Sequence, residues 1–128
     1  MRSITGVLAA TLLLVSTFQP ARADGDPARG EAVFKRCAVC HAATAQNRIG
    51  PGLAGVVGRP AASVTSYKYS PALTASGLTW DEATLDRFLE APAKLVPGTR
   101  MTIALPKADD RQDVIAYLKT LASTPGAP

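Results

Sequence analysis

The chain has 128 residues, with 14 lysines and arginines against 10 aspartates and glutamates and a net charge of +4 at pH 7. The basic excess includes no block of basic residues accompanied by aromatic side chains, so the composition argues against nucleic-acid binding. One histidine and two cysteines are too few to close a structural zinc site of four such ligands.

Residues 1–23 have the pattern of a secretory signal peptide. Arg2 gives a positive start, Ile4 to Phe18 is an uncharged apolar run, and Ala21-Arg22-Ala23 offers small residues for cleavage. The apolar run is shorter than the ~20 residues that a membrane span needs. Retention of the segment as an uncleaved anchor is the alternative.

Cleavage would leave 105 residues with a net charge of +2, a size that suits one small domain. We place this domain at residues 24–122 and predict a disordered tail at 123–128. Its first element is a helix that begins at Asp26-Pro27, an acidic cap followed by proline, and runs to about Arg36 or Ala38. Gly30 lies inside this helix, where glycine is costly, and predicts the close approach of another helix.

Capping residues, glycines and prolines define the remaining elements. In chain order these are a loop over 42–60, a short helix from Pro71 to Ser76, a helix from Trp80 to about Glu90, a rigid loop over 91–107 and a helix from about Ala108 to Ala122. Thr79 and Glu82 form a capping box for the third helix, and Pro92 stops it. Since no strand pattern is present, the predicted fold class is all-α.

The motif Cys37-Ala38-Val39-Cys40-His41 contains every cysteine and histidine of the chain. Two thiols three residues apart, followed directly by histidine, form the attachment pattern of c-type haem. The thiols would bond covalently to the haem, and the His41 imidazole would bind its iron from one side. The sequence therefore predicts one haem c attached through Cys37 and Cys40.

Three other interpretations of the motif are weaker. An exported protein with two cysteines could form a disulfide, and this spacing also occurs in thioredoxin-like redox pairs. A thioredoxin-like site would follow a strand, whereas the residues before Cys37 are predicted to be helical. A zinc site would need a fourth ligand, and the sequence has no further cysteine or histidine to supply it.

The second axial position of the iron needs another ligand, and with His41 used the strong candidates are a methionine, a lysine or the terminal amine. Met1 leaves with the signal peptide, so Met101, in the proline-braced loop, is the only methionine of the mature chain and our candidate. The alternatives are that Met101 only fills a gap in the core or that the position stays open, as in a gas binder or a peroxidase-like catalyst.

Five segments, taken in order, resemble the class I c-type cytochromes, most closely mitochondrial cytochrome c and similar small bacterial proteins. They are CAVCH, GPGLAGVVGR, YKYSPAL, GLTWDEATLDRFLEAPAKLVPGTRM and DVIAYLKTLA. The resemblance covers nearly all of the mature chain. It implies the small cytochrome c fold, with crossing first and last helices and about four to five helices and loops wrapped around the haem.

The resemblance also implies roles for single residues. Pro51 would accept a hydrogen bond from the His41 ring through its carbonyl, which fixes the imidazole. Four residues would bind the haem propionates, namely Arg59, Tyr69, Trp80 and Thr99. Three residues would form the helix crossing, namely Gly30, Phe34 and Tyr117. Three positions depart from the family pattern, namely Leu73, Phe88 and Ile103.

The resemblance implies a soluble, periplasmic, monomeric one-electron carrier with His/Met-ligated haem, and not an enzyme. Its partners would be redox proteins such as an oxidase, reductase or dehydrogenase, with no nucleic acid and no stable membrane insertion. A haem enzyme or gas sensor with a labile sixth ligand, and a haem subunit of a larger complex, are the alternatives. Five basic residues are candidates for a docking rim around the haem edge, namely Lys35, Arg36, Lys94, Arg100 and Lys107.

Overall fold

A computed structural model describes residues 24–121, and these form five helices. The helices are α1 (Pro27–Phe34), α2 (Pro71–Ala75), α3 (Glu82–Glu90), α4 (Pro92–Leu95) and α5 (Ala108–Thr120). The described residues contain no strand and one isolated bridge, between Pro60 and Thr79. The predicted all-α class is confirmed, whereas the predicted signal peptide at 1–23 and tail at 123–128 lie outside the described residues.

Helices α1 and α5 cross at Gly30. A Cβ atom at this position would overlap the backbone carbonyl of Asp113 and the side chain of Tyr117, so only glycine lets the two helices approach this closely. Beside the crossing, the rings of Phe34 and Tyr117 lie 5.2 Å apart. The close approach predicted at Gly30 is therefore confirmed, and α5 is the helix that makes it.

An ion pair fastens the same crossing. The Arg29 guanidinium donates to both carboxylate oxygens of Asp113, from Nε to Oδ2 at 2.8 Å and from Nη2 to Oδ1 at 3.1 Å. The backbone N–H of Asp26 donates to Oδ1 of Asp113 at 2.7 Å. These donors, with the Arg29 hydrogen bond first, hold the pKa of Asp113 below its ordinary value. Helix α1 is thus attached to α5 through one carboxylate.

Two helices end earlier than predicted. Helix α1 ends at Phe34, where the carbonyl of Phe34 accepts from the N–H groups of both Cys37 and Ala38. The shorter of these bonds is a three-residue turn, and the chain continues to Cys40 in tight turns rather than as a helix. Helix α5 ends at Thr120, because Leu121 has left the helical conformation.

The start of α3 and the nature of residues 91–107 also differ from the prediction. Asp81 caps α3, with its carboxylate accepting the Thr84 N–H at 2.7 Å, because Trp80 lies outside the helix: its N–H donates to the carbonyl of Arg59 and its carbonyl accepts from the Gly58 N–H. Pro92 does end the preceding helix, but it also begins α4, since proline suits the first position of a helix. The stretch predicted as loop therefore contains one helical turn.

The apolar core joins α3, α5 and the segment that follows Met101. Its least exposed side chains are Leu105 and Val114, each 1% exposed. Phe88 and Leu89 of α3 and Ile115 of α5 lie in the same cluster. No helix among residues 24–121 is long and apolar enough to cross a membrane.

Candidate cofactor site

A largely apolar cavity of about 370 Å³ opens beside this core. Its lining includes all nine residues that were predicted to attach, ligate or contact the haem, namely Cys37, Cys40, His41, Pro51, Arg59, Tyr69, Trp80, Thr99 and Met101. Residues from α3 and α5 complete the wall. The fold thus brings together side chains that are up to 64 positions apart in the sequence.

The His41 imidazole is held from one side by the loop that follows it. Its Nδ1 lies 2.7 Å from the carbonyl oxygen of Pro51, which can only accept, so Nδ1 carries the proton and Nε2 carries the free lone pair. A Cβ atom at Gly50 would overlap the imidazole ring, so glycine lets the backbone pass directly against it. The Gly50 N–H also donates to the carbonyl of Cys40 at 2.8 Å. Ring orientation is therefore set by backbone atoms.

Side chains brace this loop, and sequence reasoning missed them. Arg48 donates from Nη1 to the carbonyl of Ala38 at 2.7 Å. The Tyr67 hydroxyl donates to the carbonyl of Ile49 at 2.7 Å. No local sequence signal identifies these contacts, because an exposed arginine and a tyrosine 18 positions away are common surface residues. The loop is fastened both to the motif and to the Tyr67 segment.

Cys37 and Cys40 line the cavity beside His41, and their thiols are not joined in a disulfide. The His41 N–H donates to the carbonyl of Cys37 at 2.9 Å, and the Cys40 N–H donates to the same oxygen at 3.0 Å. These turns fix the backbone positions of Cys37, Cys40 and His41 relative to one another. Burial raises the pKa of the Cys37 thiol, so this group is predominantly protonated at neutral pH in the free protein.

Met101 lines the cavity from a much less hydrogen-bonded stretch. Its backbone N–H donates to the Thr99 hydroxyl at 3.3 Å. The next backbone contact along the chain is at Leu105, whose N–H donates to the carbonyl of Leu89 at 2.7 Å. Met101 is half-buried and packs against the apolar core.

Arg59 places a half-buried cation in the cavity wall. Its Nη1 and Nη2 donate to the carbonyls of Ala54 and Gly52 at 3.1 and 3.2 Å, whereas its buried Nε has no partner among the described residues. Burial lowers the pKa of Arg59, since a charge away from water is costly. The buried Nε therefore has an N–H donor free to bind an anionic group in the cavity. Among the other predicted polar residues, burial raises the pKa of Tyr69, whose hydroxyl accepts the Val64 N–H at 3.3 Å.

The three positions that depart from the family pattern make this part of the cavity apolar. Phe88 is buried, and its ring lies 4.8 Å from that of Trp80. Leu73 is half-buried in the wall, and Ile103 lies at the mouth with 48% of its surface exposed. Phenylalanine and leucine have no hydroxyl, so these two side chains offer no hydrogen bond to a group in the cavity.

Comparisons with known proteins agree with the geometry. A family model described as Cytochrome c matches residues 27–122. The cytochrome c2 of Rhodomicrobium vannielii is 52% identical over 103 residues, which cover 78% of this chain and 82% of the relative. The cytochrome c2 of Rhodoblastus acidophilus is 48% identical over 97 residues, which cover 73% of this chain and 91% of the relative.

Solved structures give the same result for the fold. The cytochrome cH from Methylobacterium extorquens matches with a TM-score of 0.72 at 46% identity, covering 75% of this chain and 99% of that chain. The cytochrome c2 from Rhodospirillum centenum matches with a TM-score of 0.73 at 35% identity, covering 77% of this chain and 99% of that chain. The backbone that surrounds the cavity is therefore shared with both proteins.

Proposed function

The chain belongs to the cytochrome c family, and we propose that it is a periplasmic one-electron carrier whose haem iron is held between His41 and Met101. Family membership implies one covalent haem c attached through cysteine, and Cys37 and Cys40 are the two cysteines present. Its relatives are electron-carrying cytochromes, and the chain is an electron carrier and not an enzyme.

The residues of the cavity fit a haem. Two thiols and an imidazole stand on one short segment, as covalent attachment requires. The remaining wall is mostly apolar, which suits a porphyrin face. The buried, unpartnered Nε of Arg59 fits a propionate carboxylate, which would neutralise the guanidinium and complete its hydrogen bonds. Tyr69, Trp80 and Thr99 line the same cavity, and we assign them to the propionates as well.

The observation that carries the ligand assignment is that His41 and Met101 line one cavity with the His41 tautomer already set. The Pro51 carbonyl accepts a hydrogen bond from Nδ1–H and leaves Nε2 as the nitrogen available to iron, and this contact also fixes the orientation of the imidazole. Met101 is the one methionine among residues 24–121, and its thioether is a neutral donor. Haem iron with histidine and methionine ligands exchanges single electrons at a raised reduction potential.

With both axial positions filled, oxygen and peroxide have no place to bind. The chain's own residues then act by excluding water and holding charge. Phe88 and Leu73 keep the wall apolar, and the Arg59 cation favours the reduced state, which carries one positive charge less. This arrangement suits transfer of an electron without a substrate.

Redox partners would dock where the cavity opens to solvent. Arg36 and Arg100 are exposed and belong to its lining, whereas the other three candidates, Lys35, Lys94 and Lys107, are exposed elsewhere. We therefore propose a smaller basic docking rim, formed by Arg36 and Arg100, that attracts acidic redox proteins. The rate of electron transfer to such a partner should fall as ionic strength rises, and a rate independent of salt would remove the rim from the proposal.

The ligand assignment is tested on the purified haem-loaded protein. The oxidised protein should show the near-infrared band of a methionine–iron(III) bond, and the reduced protein should not bind carbon monoxide. Met101→Ala should abolish the band, lower the reduction potential by on the order of 100 mV and admit carbon monoxide. Ile103→Ala, which trims a neighbouring apolar side chain of the same stretch, is the control and should leave all three properties nearly unchanged.

The alternatives predict other outcomes. Carbon monoxide binding by the unmodified reduced protein, with no near-infrared band, would indicate an open sixth position and an enzyme or sensor. Migration of the native protein in gel filtration as part of a large complex would indicate a bound subunit rather than a free monomeric carrier. Mass spectrometry of the same sample would measure the added haem mass and the site of signal cleavage.

A further inference from the structure

A buried arginine of α5 holds the segment that carries Met101. Arg111 donates from Nη1 to the carbonyls of Leu105 and Pro106, at 2.9 Å each. Its Nε donates to Asp86 of α3 at 2.8 Å, and the arginine side chain is only 8% exposed. The guanidinium therefore joins α5, α3 and the chain four residues after Met101.

Little else restrains the stretch between Met101 and Leu105. Within residues 24–121, the backbone groups of residues 102–104 make no hydrogen bond. Four residues of extended chain span at most about 14 Å, so the freedom of Met101 depends on where Leu105 is fixed. The Leu105 side chain is 1% exposed, its N–H donates to Leu89, and its carbonyl accepts from Arg111. Leu105 is thus the anchor, the residue at which this stretch is fixed to the core, and Arg111 holds its carbonyl in place.

The guanidinium suits this task better than another cation would. Its planar fork presents several N–H donors in fixed directions, so that one side chain reaches two adjacent carbonyls and a carboxylate together. Lysine would keep the charge but would offer a single compact ammonium group in their place. Gln112 donates to the same Asp86 oxygen at 3.0 Å, which holds the carboxylate in place when the arginine is shortened.

We propose that Arg111 is a positioning residue for the Met101 ligand: it sets how often the methionine sulfur leaves the iron. This inference rests on the proposed His41 and Met101 ligation. A role in fold stability alone would lower the free energy of unfolding without a specific effect on the ligand. The two roles therefore differ in the rate at which an added ligand replaces Met101.

The experiment uses the oxidised, haem-loaded protein mixed rapidly with excess imidazole. At saturating imidazole, the loss of the near-infrared band proceeds at the rate at which Met101 leaves. We expect Arg111→Lys to raise this rate about tenfold, and Arg111→Gln to raise it further, because charged hydrogen bonds to the anchor are lost. Urea unfolding of each variant measures the change in overall stability.

The matched control is Arg29→Gln. Arg29 also donates two hydrogen bonds to an aspartate, but its bonds join α1 to α5 and do not touch the Met101 stretch. This variant should lose stability and keep the imidazole rate of the unmodified protein. Equal rates in the Arg111 and Arg29 variants, or unchanged rates in both Arg111 variants, would overturn the inference.

Two further results separate the possible failures. If neither Arg111 variant folds, Asp86→Asn weakens the same clamp while keeping the arginine and its carbonyl contacts, and should give a smaller rise in rate; no rise would overturn the inference. Absence of the near-infrared band in the unmodified protein contradicts Met101 ligation itself. A band with unchanged rates contradicts the role of Arg111 alone.

Discussion

The two sides of the cavity are built in different ways. On the His41 side, the ligand, both thiols and the bracing loop lie within 15 residues, and backbone hydrogen bonds from Gly50, Leu53 and Ala54 return to the segment over 40–44. On the Met101 side, residues 102–104 make no backbone hydrogen bond within the described part of the chain, and the anchor at Leu105 depends on α3 and α5. Of the two proposed ligands, His41 is positioned locally and Met101 by tertiary contacts.

This difference separates two tasks of the site. We expect the His41 side to keep the cofactor attached and His41 oriented, mainly through contacts within its own segment and with Tyr67. If Met101 is the second ligand, as we propose, its side of the cavity sets how readily that ligand leaves, since the stretch after it is held only at Leu105, by Leu89 and Arg111. Helix α5 takes part in both attachments, with Asp113 bonded to α1 and Arg111 bonded to the Met101 stretch.

The largest expected loss of stability comes from replacing a glycine on the His41 side, and a glycine on the Met101 side is its comparison. Gly50→Ala should cost about 3 kcal/mol of unfolding free energy, because the new Cβ overlaps the His41 ring and the loop must shift. Gly98→Ala on the Met101 side should cost only about 1 to 2 kcal/mol, from a φ of +92° that alanine rarely adopts. Denaturant unfolding of both haem-loaded variants measures this.

The visible and near-infrared spectra should also distinguish Gly50→Ala from Gly98→Ala. Gly50→Ala should perturb the histidine side, seen as a shift in the visible haem spectrum, while the near-infrared methionine band survives. Gly98→Ala should weaken the methionine band more than the histidine side. A larger loss of stability in Gly98→Ala than in Gly50→Ala would contradict the view that the His41 side is the more tightly packed one.

The contrast also explains what the sequence could reveal. The thiols and the imidazole of the His41 side could be predicted because they are contiguous in the sequence, whereas the role of Pro51 was implied only by the resemblance. Met101 could be proposed only by elimination and resemblance, since its stretch has no local pattern. Arg111 was not identified at all, because a charged residue beside Asp110 and Asp113 in a terminal helix resembles ordinary surface charge. Its role appears only when α3 and Leu105 are packed against it.

The fold shows the same limit at its helix boundaries. The helix at Pro71 could be predicted because Ser70 and proline act locally, and Ser70 does cap it through the Leu73 N–H at 3.1 Å. The predicted cap of α3 was wrong because backbone hydrogen bonds from Trp80 to Gly58 and Arg59 keep Trp80 out of the helix, so that the helix starts two residues later. Local capping rules therefore fail where a distant segment fixes the conformation first.

A smaller effect is expected from Arg59, which belongs to the His41 side. Arg59→Gln should cost about 2 kcal/mol, because the buried carbonyls of Gly52 and Ala54 lose their donors. The reduction potential should fall, since removing a positive charge favours the oxidised state. Arg48→Gln is the control: this exposed arginine also donates to a carbonyl, but solvent screens its charge. Equal potentials in the two variants would contradict a propionate role for Arg59.

The smallest expected effect is a loss of stability at low pH, where the attachment of α1 to α5 through Asp113 weakens. Helix α1 leads into the His41 side. Because Arg29 and the Asp26 N–H hold the pKa of Asp113 below its value of about 3.9 in the unfolded chain, the carboxylate stabilises the fold above about pH 4. The stabilisation is lost as pH falls through the folded pKa. Asp113→Asn should therefore be less stable than the unmodified protein at pH 7.

Urea unfolding at pH 7, 5 and 3 checks the sign of this effect. The gap between Asp113→Asn and the unmodified protein should stay constant down to about pH 4 and narrow below it, because only the unmodified protein has a carboxylate to protonate. Asp109→Asn is the control, since Asp109 is exposed on the same helix and makes no ion pair within residues 24–121. A gap that widens toward pH 3 would mean that the Asp113 carboxylate opposes the α1 attachment, and the His41 side would then need another anchor on α5.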